Sequence, residues 1–126
     1  MTHEEKALSY YDAGYHCSQA VLAAYADELG LTEEQALKIA HCFNKGMRQG
    51  EVCGACSGAL MVLGIKYGQF RKGDIGSDKK ANEKAQAFME KFKNVNSSFR
   101  CDELLKKDEN ACANMIVSAI RILEEM

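Results

Sequence analysis

An all-α fold, a single-domain helical bundle of about five or six helices over residues 1–126, is what the sequence predicts. Three observations carry that prediction. Proline is absent, apolar residues recur at spacings of three and four, and two Thr-x-x-Glu/Gln signatures mark helix starts. No segment alternates in the period of two that a half-buried strand requires.

Thr2 and Glu5 form a capping box for a first helix that carries Ala7, Leu8 and Tyr11 inward until Gly14 interrupts it. A second helix is expected from about Cys17 to Leu29, ending at Gly30. Thr32 with Gln35 starts a third that lasts to about Phe43. The stretch Asn44 to Gly50 reads as a loop, because two glycines and an asparagine in so short a run give little helical preference. A fourth helix is expected from about Val52 to Tyr67, ending at Gly68. A fifth, from about Asp78 to Lys93, buries Ala81, Ala85, Phe88, Met89 and Phe92. A short helical piece follows at Cys101 to Leu105. Asp108 then caps a last helix whose Cys112, Met115, Ile116, Ala119, Ile120 and Leu123 share one stripe.

The chain is long enough to bury a core without disulfides or metal as staples. Lys plus Arg number 16 against 18 for Asp plus Glu, so there is no broad field of one sign to attract nucleic acid or an anionic membrane. The N-terminus is polar and acidic, unlike a secretory leader, and no apolar run approaches the length of a membrane span. A soluble, cytoplasmic protein is expected, with no nucleic-acid and no membrane partner. In a reducing compartment, cysteines are more often catalytic, metal-binding or simply buried than joined in structural disulfides.

Six cysteines are therefore the informative residues. In Glu51-Val52-Cys53-Gly54-Ala55-Cys56-Ser57-Gly58, sulfur meets glycine at a helix start. The unpaired N–H groups and dipole of that first turn lower a thiol pKa, which raises both nucleophilicity and metal affinity. Arg48 lies close enough in sequence to be a second stabiliser of a Cys53 thiolate. Cys17 falls on one face with Ala20, Val21 and Ala24, and Cys53, Cys56, Leu60 and Leu63 fall on another. Cys17, Cys53, Cys101 and Cys112 thus come from four segments, each at or near an N-terminal end and each facing inward. Convergence on one site is the economical expectation. Gly54 and Gly58 cost the fourth helix roughly 1 kcal/mol each relative to alanine, and close approach of another backbone or of a bound group near Cys53 would offset this.

The pair Cys53-x-x-Cys56 has the spacing of thiol–disulfide oxidoreductases, but those follow a strand that this chain lacks. Covalent haem is disfavoured because Ser57 stands where histidine is required. The neighbouring pairs His16-Cys17 and His41-Cys42 point about 100° apart on a helix, so they are poorly placed to share an ion. Tyr15, Tyr25 and Tyr67 read as core or rim aromatics.

Taken together, Cys17, then Cys53-Gly54-Ala55-x-x-Gly58, then Cys101 and Cys112 resemble the C-GCAxxG-C-C family, described as putative redox-active proteins. The likeness extends through Tyr15 to Val21, Gly46 to Ala55, Ser57 to Met61 and Leu63 to Gly68. It implies that Cys17, Cys53, Cys101 and Cys112 are the functional set, with Cys42 and Cys56 additional to it. Three functions follow as alternatives. In the first, Cys53 acts as a thiolate and Cys56, Cys17 or Cys112 resolves the product. That activity would be a thiol-dependent oxidoreductase or electron carrier serving a redox partner protein, a small thiol or a disulfide. In the second, the four cysteines hold zinc or an iron–sulfur cluster. In the third, small residues serve packing or a homodimer without chemistry.

Overall fold

The computed structural model describes all 126 residues and is all-helical, with no strand. Its elements are α1 (His3–Asp12), α2 (Cys17–Ala24), α3 (Ala26–Leu29), α4 (Glu33–Ala40), α5 (Gly54–Tyr67), α6 (Ile75–Asn96), α7 (Cys101–Leu105) and α8 (Ala111–Glu125). Eight helices replace the expected five or six, and most of the difference is local. The second predicted helix breaks at Tyr25, whose ψ of 0° separates α2 from α3 before Gly30 ends the pair with a φ of 77°. The third tightens into a single 3-10 turn at His41–Phe43. The fifth starts before Asp78, because the Asp74 carboxylate accepts a hydrogen bond from the Ser77 backbone N–H at 3.2 Å and caps it. For the last helix the capping residue is Asn110; Asp108 instead fixes the preceding turn, accepting from the Asn110 N–H and the Asn114 side chain, both at 2.9 Å.

α2 lies at the centre. Every one of its eight residues is buried, and α1, α4, α5 and α8 pack around it. A helix so enclosed must be apolar on all faces or must satisfy its polar groups internally. Both conditions hold here. Ala20, Val21 and Leu22 are fully buried. The Ser18 hydroxyl donates to the Ala40 carbonyl at 2.8 Å, and the Gln19 amide donates to the Leu37 carbonyl at 3.0 Å, which ties α2 to α4. A second focus of the core forms where Phe88 and Phe92 of α6 meet α5 and α8, their ring centroids 6.0 Å apart.

The α2–α5 contact depends on absent side chains. A Cβ at Gly58 would stand 2.8 Å from the Ser18 carbonyl oxygen and 3.1 Å from Val21 Cβ. One at Gly54 would stand 2.6 Å from Cys17 Sγ. The close approach that offsets the helical cost of these glycines is therefore α2 itself, and neither position faces open space for a bound group.

No helix is long and apolar enough to cross a membrane. Two substitutions separate close packing from helix propensity. Gly58→Ala should lower stability by about 1–3 kcal/mol through overpacking. Gly64→Ala, with nothing within 4 Å of the new methyl, should raise it by up to about 1 kcal/mol. Urea denaturation of the two variants checks both signs.

Candidate functional site

Four helix starts place four sulfurs around one volume. Cys17 is the first residue of α2, Cys53 the N-cap of α5, Cys101 the first residue of α7 and Cys112 the second of α8. All four line a cavity of about 150 Å³, together with Tyr11, His16, Asn44, Lys45, Leu104, Leu105, Ala111 and Met115. Cys17, Cys53 and Cys101 are buried, while Cys112 is half-buried where its stripe on α8 emerges into the cavity. Cys56 is fully buried behind Cys53, and Cys42 is exposed and does not line the cavity.

Two short stretches of backbone fix Cys53 and Cys101 relative to each other. Val52 and Arg100 form an isolated antiparallel bridge, in which Cys53 N–H donates to the Phe99 carbonyl at 2.7 Å and Cys101 N–H to the Glu51 carbonyl at 2.6 Å. On the outer side, the Arg100 guanidinium spans Glu51 and Asp102, each at 3.0 Å. Exposed pairs of this kind add little energy singly, but three carboxylates share this one cation, Glu103 being the third at 3.7 Å.

The segment before Cys53 is strained. Lys45, Gly46, Met47 and Arg48 have φ of 51°, 59°, 59° and 62°, a full run in the left-handed region. Such a conformation costs about 1–2 kcal/mol for each non-glycine residue. Buried Asn44 anchors it: its amide donates to the His41 carbonyl at 2.5 Å and its oxygen accepts from Arg48 Nη1 at 2.9 Å. The Glu51 N–H closes the turn on the Gly46 carbonyl at 3.1 Å. The outcome concerns which cation serves the site. Arg48 is held by Asn44 and does not line the cavity, whereas Lys45 does. Lys45 pulls the Cys101 and Cys112 thiols downward, against burial and the neighbouring Cys53 charge, which push both up.

Charge is concentrated on one sulfur. The Cys53 thiol lies well below the ordinary range, chiefly because the Cys17 thiol donates toward it, with the Cys56 thiol as a second donor. The N–H groups of Ala55 and Cys56 face the sulfur without forming a side-chain cap, so their contribution is electrostatic. Cys17 and Cys56 move the opposite way, each held protonated by its bond to Cys53 and then by burial. Three adjacent sulfurs thus carry one negative charge, since two thiolates in so dry a place would repel.

Residues not singled out from the sequence complete the wall. The Tyr11 hydroxyl faces Cys112 as a donor, and burial raises its own pKa. His16 is half-buried, with its ring edge-on to His41 at 5.5 Å, and burial lowers its pKa so that the neutral form prevails. The inward spacing of Tyr11 was a signal for its place; nothing in the sequence separates Lys45 from Arg48. The structure gives no group of three His, Cys, Asp or Glu side chains arranged to hold one metal ion.

A family described as "Putative redox-active protein (C_GCAxxG_C_C)" matches residues 15–126, nearly the whole chain. The chain belongs to the C_GCAxxG_C_C family. The matched range contains Cys53 through Gly58, which reads Cys-Gly-Ala-Cys-Ser-Gly. No curated protein and no solved structure matches the chain. Membership of the C_GCAxxG_C_C family supports a redox-type role in general terms and leaves the reaction to the chemistry of the site.

The thiolate absorbance in the ultraviolet gives a direct check. Cys53 should hold one thiolate equivalent well below the usual thiol pKa of about 8.5, and Cys53→Ser should abolish it. Because its folded pKa is depressed, the stability it contributes is full above the unfolded value and is lost as pH falls through the folded one. Cys17→Ala removes a donor to a charged group, worth about 1.5–3 kcal/mol, and should raise the Cys53 pKa by about one to two units.

Proposed function

We propose that this protein is a dithiol redox protein whose working couple is Cys53 and Cys17. The observation that carries the reading is that Cys17 and Cys53 line a single cavity, with the Cys17 sulfur seated against Gly54, the residue next to Cys53. Cys53 is the nucleophile because it is the sulfur that carries charge, and thiolate is the reactive form. Cys17 is the resolving residue because its sulfur lies against Gly54, beside Cys53, in the same cavity. Oxidation removes two electrons from the pair and one proton from Cys17, Cys53 being deprotonated, and joins the sulfurs in a disulfide.

Several features support this over a packing role. A core chosen for packing gains nothing from a strained left-handed run or from a lysine beside four sulfurs. Cys56, fully buried, acts as a donor that holds the Cys53 charge. Cys101 and Cys112 form the outer part of the same wall, under the influence of Lys45, and are suited to pass reducing equivalents between the inner pair and a redox partner.

The test is prolonged equilibration of the full chain in thiol–disulfide buffers of graded potential, long enough for local opening to admit the buffer, followed by alkylation and mass mapping. A Cys17–Cys53 disulfide should form with a defined midpoint. Cys53→Ser and Cys17→Ser should each abolish it, while Cys112→Ser should leave it in place. Six thiols that persist at every potential, or a pairing that omits Cys53, would overturn the assignment.

A further inference from the structure

Resting on the dithiol reading above, the size and walls of the cavity bear on what oxidises the couple. The two reacting residues, Cys53 and Cys17, are 5% and 8% exposed. With the cavity closed, a disulfide on the surface of a folded protein does not reach them, since exchange needs three sulfurs in line and space for both halves of the attacked disulfide. The oxidant must enter the cavity. At about 150 Å³, the cavity matches an apolar void that holds one benzene. Glutathione disulfide is several times larger. Leu104, Leu105 and Met115 make the wall apolar, which disfavours anions that would shed their hydration next to a thiolate.

We infer that the substrate is a small neutral peroxide, either hydrogen peroxide or a short-chain alkyl hydroperoxide. Chemistry at Cys53 then balances with the groups present. The Cys53 sulfur attacks the terminal oxygen; an S–O bond forms, the O–O bond breaks, and Cys53 becomes a sulfenic acid. The departing alkoxide or hydroxide takes the proton of the adjacent Cys17 thiol and leaves as alcohol or water. That transfer turns Cys17 into the thiolate required next. It attacks the Cys53 sulfur, the S–S bond forms, the S–O bond breaks, and hydroxide leaves to be protonated by solvent. Two electrons from the thiol pair have reduced one peroxide.

The experiment mixes the reduced full chain, under anaerobic conditions, with hydrogen peroxide, tert-butyl hydroperoxide or glutathione disulfide. Loss of thiolate absorbance is followed and the products are mapped by mass. Hydrogen peroxide should remove two of the six thiols as the Cys17–Cys53 disulfide, faster than it oxidises free cysteine thiolate. Glutathione disulfide should give no mixed disulfide at Cys53 over the same period. Leu105→Trp, placed at the exposed rim where folding is little affected, should slow the reaction with tert-butyl hydroperoxide by about tenfold or more. A Cys53 that reacts with glutathione disulfide as readily as with peroxide, or with peroxide no faster than free cysteine, overturns the inference. Either result leaves the dithiol reading standing if the couple forms in graded buffers; failure to form there overturns the reading itself.

Discussion

The approach of α2 to α5 at two residues without side chains is the constraint on which the site depends. Gly58 lets the helices meet at Ser18 and Val21, and Gly54 leaves the volume that the Cys17 sulfur occupies. A methyl at either position would drive the helices apart and move Cys17 away from the start of α5. Packing and electrostatics are therefore one problem here: the contact that buries α2 also brings a proton donor to Cys53.

From that contact follows an unequal division of roles among chemically identical groups. Cys17, Cys53 and Cys56 have the same side chain, yet one is held ionised and two are held neutral. Position decides which. Cys53 alone stands at the open N-terminal end of α5 with donors on both sides, so the charge falls there, and each donor becomes harder to ionise as a result. The outer thiols, Cys101 and Cys112, feel burial and the Cys53 charge in one direction and Lys45 in the other.

Much of this was legible from residue spacing. The period of Cys17 with Ala20, Val21 and Ala24, and of Cys112 with Ile116, Ala119, Ile120 and Leu123, identified faces that the fold buries or turns into the cavity. Helix starts could be read because Thr2 and Thr32 use side chains suited to capping. Three features lay outside the pattern. The break at Tyr25 leaves an apolar sequence unchanged, since the residue is buried on either side of it. Apart from Gly46, the left-handed run uses lysine, methionine and arginine, none of which favours that conformation, and local hydrogen bonds through Asn44 and Glu51 hold it. The choice of Lys45 over Arg48 as the cavity's cation is a consequence of that run and was equally hidden.

The bridge between Val52 and Arg100 fastens α7 by two backbone hydrogen bonds and a cluster of exposed ion pairs, while α2 is locked on every side. Leu104 adds a buried apolar contact to that fastening, yet α7 remains held by fewer buried groups than α2. Ionic strength acts on α7 through Arg100, because dissolved salt screens Arg100 from its carboxylates and cannot reach the buried contacts of α2. The surrounding medium thus bears on the outer fastening of the cavity and leaves the buried contact between α2 and α5 as it was.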